Sequence, residues 1–351
     1  MVTLVARRLL HPRRKVAGVE DGIEVQSKQN GAEIWPLRIN TLQNSLCGFL
    51  NAGVEHAAFF AYIPRIMQAK AALTLHIWRH IAVRLPADWE MLQFSCEFSQ
   101  GRCAFADRYQ YRSELSWRTV PGEPDYDRMV NDYFRKLEQD KRIDQGEIVK
   151  KSGWHGLAGV IDRERTSRLG KYLPAIGCLI EFVILWPQQR DVALENEILG
   201  SIEARPPAKL QEWQAFNMNM HVPAAAAFEG CTALPARTEF TFTDTKTANQ
   251  WQFSRRGMVA SWFDGQLEPW LRRELGKNTR ELRITQRHHH DADMIIAEGR
   301  FKPQSLHLRR GNVTAAAWID PADGRLYCAK KWLRRTVPSD DLPVHELLRR
   351  A

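Results

Sequence analysis

No two cysteines in this chain form a C-x-x-C pair: Cys47, Cys96, Cys103, Cys178, Cys231 and Cys328 are scattered over 351 residues. That spells out no cysteine-based zinc site, and buried free thiols are the expectation, although Cys96 and Cys103 are spaced to face each other across a tight hairpin. No glycine-rich loop ends in Lys-Ser or Lys-Thr, and Gly153, Gly156 and Gly159 stand three apart, which is not the dinucleotide spacing. The triplet reads instead as a tight turn with close backbone packing. No serine sits in a G-x-S-x-G elbow. Asp162, Glu164, Glu181 and Glu195 supply carboxylates, but none is paired at a spacing that suits acid–base chemistry. Long apolar runs are also missing. The stretch from Asn40 to Met67 is interrupted by Asn51, Glu55 and His56 and ended by Pro64, which makes it a poor membrane span and a fair soluble helix. The basic start is not followed by an apolar core of signal-peptide length. Few serines favour a transit peptide, so the cytoplasm is the default expectation.

Acidic residues are scarce at the two ends. The net charge is +9. Arg7, Arg8, Arg13, Arg14 and Lys15 meet no acid, and Lys330, Lys331, Arg334, Arg335, Arg349 and Arg350 outnumber Asp340, Asp341 and Glu346, so the body between is nearly neutral. Such basic ends hold phosphates through counterion release, and nucleic acid is one partner class they leave open. Solvated tails are the plainer reading of the same blocks.

What is present is a repeat of element order. Leu85-Pro86 precedes alternating strands up to Trp117, and Val222-Pro223 precedes a similar run up to Trp251. A helix follows in each case. Tyr126, Met129, Val130, Tyr133, Phe134 and Leu137 fall at helical spacing behind Asp125, and Leu267, Trp270, Leu271 and Leu275 do so ahead of Gly276. Each copy then returns to strands and closes with a predicted helix, over residues 195–202 and 344–350. Period-two alternation in Leu75, Ile77, Ile81, Val83 and Leu85, and in Tyr109, Tyr111, Ser113, Leu115 and Trp117, marks antiparallel sheets with one face covered. Only Cys178–Trp186 is nearly all apolar, as expected of a central strand. Asp320-Pro321-Ala322-Asp323-Gly324 carries the residues of a hairpin turn, with strands on either side. Twelve tryptophans point to large aromatic-anchored cores. The expected fold class is therefore α+β, with two similar domains, each an antiparallel sheet with packed helices. The expected limits are a basic tail over 1–35, an apolar helical segment over 36–70, and domains over 71–205 and 206–351, a tandem duplication.

Leu85-Pro86-Ala87-Asp88-Trp89, the helix through Tyr133-Phe134, Trp154-His155-Gly156, the Cys178–Trp186 strand and Glu197-Ile198-Leu199-Gly200-Ser201-Ile202 together resemble the pattern of small PsbP/Mog1-like α/β/α domains. The resemblance covers the first half; the second has His345-Glu346-Leu347-Leu348 where the first has Leu-Gly-Ser. It implies a sheet flanked by helices and non-enzymatic roles in binding or assembly, and it carries over no functional residue.

The residues best suited to metal chemistry are His288, His290 and Asp293 within Arg287-His288-His289-His290-Asp291-Ala292-Asp293. In an extended segment the two histidines share a face, and imidazoles with a carboxylate suit zinc or a similar divalent cation. An exposed polar hairpin explains the same run. Glu181, a carboxylate inside an apolar strand, needs an ion pair, exposure or a shifted pKa, and Arg163, Arg165 and Arg168 are available partners. Two copies of one domain create a cleft, expected to be lined by Trp154, His155, Arg163 and Arg168 from the first half and by Trp262, His288 and His290 from the second. The sequence ranks a non-catalytic, soluble binding or assembly module with no cofactor first, with a protein partner or acidic ligand. A metal-dependent enzyme and a nucleic-acid-binding protein remain open behind it.

Overall fold

The computed structural model describes residues 72–289, 292–302, 311–335 and 342–351, all within one compact unit, residues 57–351. The first half opens with the hairpin of β1 (Leu73–Trp78) and β2 (Ile81–Pro86). It continues through β3 (Glu90–Phe94), β4 (Gln100–Ala106), β5 (Tyr111–Thr119), helix α1 (Tyr126–Gln139), β6 (Ile143–Lys151), β7 (Trp154–Ile161), β8 (Glu164–Leu173) and β9 (Cys178–Trp186). Helix α2 (Val192–Ser201) and β10 (Glu203–Ala204) close it. The second half runs through β11 (Leu210–Ala215), β12 (Met218–Pro223), β13 (Ala227–Leu234), β14 (Arg237–Asp244), β15 (Asn249–Arg256), helices α3 (Val259–Trp262) and α4 (Leu267–Leu275), β16 (Thr279–His289), β17 (Ala292–Phe301), β18 (Gly311–Ile319), β19 (Leu326–Leu333) and β20 (Leu348–Arg350).

These strands form three antiparallel sheets, and the two large ones have the same order. The first is β3-β4-β5-β9-β8-β7-β6 and the second β13-β14-β15-β19-β18-β17-β16, so a three-stranded meander is joined edge to edge to a four-stranded one. Cys178–Trp186 is the middle strand of the first sheet. The third sheet, β10-β2-β1-β11-β12-β20, takes three strands from each half and joins them where Ile77 lies opposite Gln214.

The expectation of two α+β domains, each a sheet with packed helices, is therefore corrected: this is a sheet-rich fold of three antiparallel sheets, one of them built jointly by both halves. The physical reason lies in the inner faces. Trp78, Val83 and Leu85 from the shared sheet, Phe105, Leu115 and Phe182 from the first, and Phe240, Phe253 and Ile296 from the second belong to one continuous core. Sheet packs on sheet here, and helices add a thinner layer. The closing segment 344–350 is also not a helix. A 3-10 turn, Val344–Glu346, leads into β20, whose Leu348 and Arg350 pair with Met220 and Met218 on the open edge of β12. The segments 1–35 and 36–70 lie outside the described residues.

Local chemistry explains the elements that position side chains. The Asp125 side chain accepts the Arg128 backbone N–H and caps α1, which buries Tyr126, Val130, Tyr133 and Leu137. Arg79 and His80 both take φ values in the left-handed region, 53° and 65°, so β1 turns into β2 in two residues. Gly153 (φ 77°) turns β6 into β7, and a Cβ on Gly156 would stand 2.0 Å from the Arg168 carbonyl oxygen on the next strand. Among the described residues no helix is long and apolar enough to cross a membrane.

Candidate functional site

The residues singled out from the sequence do not converge. Trp154 and His155 are neighbours on β7 and so point to opposite faces of the first sheet. Trp154 is buried; its indole N–H donates to the Leu199 carbonyl of α2 (3.2 Å), and the Lys171 ammonium lies 5.7 Å from its ring centroid. On the other face, half-buried His155 stacks on Tyr126 of α1, with centroids 4.3 Å apart, and its Nδ1 lies 4.0 Å from the Asp127 carboxylate. Arg168 shares that face. It is buried, pairs with Glu181 at 3.5 Å and donates to the Tyr133 hydroxyl at 3.2 Å. Burial pushes the Glu181 carboxyl up, against the pull of Arg168. Arg168, not Arg163 or Arg165, is thus the partner of Glu181. Arg163 is exposed in the β7–β8 turn at φ 72°.

Trp262 belongs to the second half, at the end of α3, 41% exposed, with its N–H on the Gly257 carbonyl (2.9 Å) and the Arg256 guanidinium 5.9 Å from its ring. His288 faces Asp293 across the β16–β17 ladder, Nδ1 to Oδ1 3.2 Å, and both are about 70% exposed. His290 lies outside the described residues, and among those described no three His, Cys, Asp or Glu side chains gather to hold a metal ion. The C-terminal basic run is partly internal. Lys330 is buried on Glu274 (3.1 Å) and Gln252 (3.1 Å), and Lys331 donates to the Leu342 carbonyl (3.1 Å).

Where the halves meet, the structure does build a site, from residues that sequence reasoning passed over. Trp78 at the end of β1 packs edge-on against Trp213 of β11, centroids 5.3 Å apart, and against Phe228 and Phe240 of the second half. The turn after it places the next residue, Arg79, among three rings. Its guanidinium carbon lies 5.1 Å from Phe228, 5.6 Å from Phe98 and 5.7 Å from Trp213. Arg79 is 9% exposed. It makes no hydrogen bond or ion pair with any described residue, and its Nε is sealed from solvent without an acceptor.

Phe98, by contrast, is 58% exposed. Its loop is held by two indoles, since Trp117 donates to the Phe98 carbonyl (3.2 Å) and Trp78 to the Ser95 carbonyl (3.1 Å). His80 is buried edge-on against Phe98, centroids 6.0 Å apart, and burial followed by the Arg79 charge lowers its pKa, which keeps it neutral at pH 7. The seam therefore offers one fixed positive charge walled by aromatic rings, beside a neutral imidazole. No carboxylate or lysine pairs with it among the described residues. Cys96, on the same loop, is exposed, while Cys103, Cys178 and Cys328 are buried, and all are free thiols. The sequence carries one mark of the place: Arg79 is the polar residue that interrupts the odd-numbered apolar series Leu75, Ile77, Ile81, Val83 and Leu85.

A second polar centre lies under α2. Glu195 is fully buried and accepts from Lys151, from Arg190 (2.7 and 2.8 Å) and from the Ser167 hydroxyl (2.5 Å). Burial alone would raise its carboxyl, but these donors outweigh burial and hold it below the usual range. Glu147, Arg165, Trp186 and Arg190 line a shallow pocket of about 190 Å³ beside it.

No protein-family model matches this chain, and no curated protein does. Among solved structures it is similar to the immunity protein TplEi of the T6SS from Pseudomonas aeruginosa. The apo form shares 10% identity at a TM-score of 0.29, covering 79% of this chain and 97% of that one. The form complexed with an "L" peptide shares 11% at 0.31, covering 80% and 99%. Similarity at that level assigns nothing to this chain.

Proposed function

We propose that this chain is a non-catalytic binding module whose contact surface for a protein partner is the seam between its halves. One observation carries the reading: a buried guanidinium, without a counter-charge among the described residues, sits behind a largely exposed phenylalanine, between walls contributed by both halves. Arginine and aromatic side chains around a desolvated centre are the composition of binding hot spots. The two halves are further proposed to descend from one duplicated unit, 71–205 and 206–351, which their matching strand orders support. A relation of that unit to PsbP/Mog1-like domains remains part of the proposal, supported by the sequence pattern of the first half.

The test is quantitative affinity capture with the untagged chain coupled to a matrix, beside Phe98→Ala and Trp262→Ala. The expected outcome is a partner retained by the parent and by Trp262→Ala and lost with Phe98→Ala. A partner lost with Trp262→Ala and kept by Phe98→Ala would move the contact surface away from the seam.

A further inference from the structure

We propose that Arg79 anchors a carboxylate-binding subsite: a side-chain or C-terminal carboxylate of a partner polypeptide enters the aromatic recess at the seam and pairs with this guanidinium. The inference rests on the seam reading and adds the chemistry of the ligand.

Other buried cations of the described residues show what Arg79 lacks. Arg168 has Glu181 at 3.5 Å, Lys330 has Glu274 at 3.1 Å, and Lys331 has the Leu342 carbonyl at 3.1 Å. Arg79 lies 5.1 to 5.7 Å from three ring centroids and, among the described residues, has no hydrogen-bond or ion-pair partner. An aromatic face attracts a cation, but it accepts no strong hydrogen bond, so Nε is left empty, and the two amino nitrogens, also without a partner, keep contact with solvent. A charge so largely withdrawn from water without a partner is unfavourable, and the solvent-reaching amino nitrogens are the atoms an incoming ligand can meet.

The geometry selects a carboxylate among anions. A guanidinium is a planar fork that matches a carboxylate in a bidentate pair. A phosphate dianion calls for more positive charge than one guanidinium supplies, since His80 beside it is neutral and, among the described residues, no second arginine or lysine lies over these rings. The exposed ring of Phe98 at the mouth supplies an apolar contact for a residue flanking the carboxylate, which fits a polypeptide better than a small free acid.

The test uses the full chain labelled with nitrogen-15 at arginine side chains, so that the Nε–H signal of Arg79 is assigned by its loss in Arg79→Met. Three peptides with one phenylalanine-containing body are titrated: one with Asp and an amidated end, one with Asn and a free C-terminal carboxylate, and one with Asn and an amidated end. The expected result is that at least one carboxylate peptide shifts the Arg79 signal and the neutral peptide does not, with the tighter of the first two naming the source of the carboxylate. Tryptophan fluorescence should show binding at least about tenfold weaker for Arg79→Met, and a smaller loss for Arg79→Lys, which keeps the charge without the fork. Arg79→Met is expected to unfold cooperatively at or above the temperature of the parent, which separates lost binding from lost fold. Equal shifts from the neutral peptide, or no shift from any peptide at millimolar concentration, would overturn the proposal. A captured partner that needs Phe98 but not Arg79 would also overturn it and leave the seam reading standing; one that needs neither removes both.

Discussion

Two arginines of the first half are both largely buried, Arg168 the more deeply, and they are differently supplied. Beneath α1, Arg168 lies between the Glu181 carboxylate and the Tyr133 hydroxyl and ring, on a sheet face that also carries Glu114 and Ser116. At the seam, Arg79 lies among Phe98, Trp213 and Phe228 with no anion paired to it among the described residues. The first arrangement has its counter-charge within the chain, so its parts depend on one another for stability. The second is incomplete, and its missing part is the place to look for a ligand. Buried charge is thus informative through its partners more than through its burial.

Breaking the paired arginine should give the largest effect. Arg168→Met leaves Glu181 buried without its cation and is expected to cost about 3–5 kcal/mol in denaturant unfolding. Adding Glu181→Gln to that variant should return part of the loss, and a purely additive double variant would mean the pair is not coupled.

An intermediate effect should come from His76, whose two ring nitrogens have no partner and whose pKa is lowered by burial from 6.5 to about 4. The unfolded chain binds a proton below pH 6.5 that the folded chain refuses until about pH 4. Stability should therefore fall with acidification across that window, by on the order of 3 kcal/mol. In His76→Leu the decline between pH 6.5 and 4 should be shallower, and an unchanged slope would assign it to other groups, such as His221 or His345, which burial also lowers.

The smallest effect sharpens the comparison most. Arg79→Met removes an unpaired cation and keeps apolar packing among the three rings, so it should cost no stability and add up to about 1 kcal/mol, the lost cation–π attraction offsetting part of the gain. Phe98→Ala, at an exposed ring, should stay within about 0.5 kcal/mol of the parent while removing the partner contact.

Much of the local structure could be read in the sequence, because it is local. Asp125 and the spacing from Tyr126 to Leu137 define α1, Gly276 closes α4, and the uniform apolarity of Cys178–Trp186 marks a strand covered on both faces. The shared sheet left no such mark. Ile77 and Gln214 meet across the halves, and nothing in either short alternating hairpin says which strand will lie beside it. The same long-range pairing turns Leu348–Arg350 from a periodic helical tail into an edge strand on β12. Composition likewise failed to separate Lys330 and Lys331, held inside the second half, from half-buried Arg334 and exposed Arg335. The candidate site was half visible. A site between the halves was expected, but with other residues; its chemistry comes from Arg79, whose neighbours Phe98, Trp213 and Phe228 are distant in sequence.

The most direct test of this account is the equilibrium unfolding free energy of Arg79→Met beside that of the parent. The account predicts an equal or higher value, because Arg79 is held for a ligand and not for the fold. A loss of several kcal/mol, like that expected for Arg168→Met, would show that Arg79 is already satisfied within the chain and contradict the reading of the seam as a site awaiting a partner.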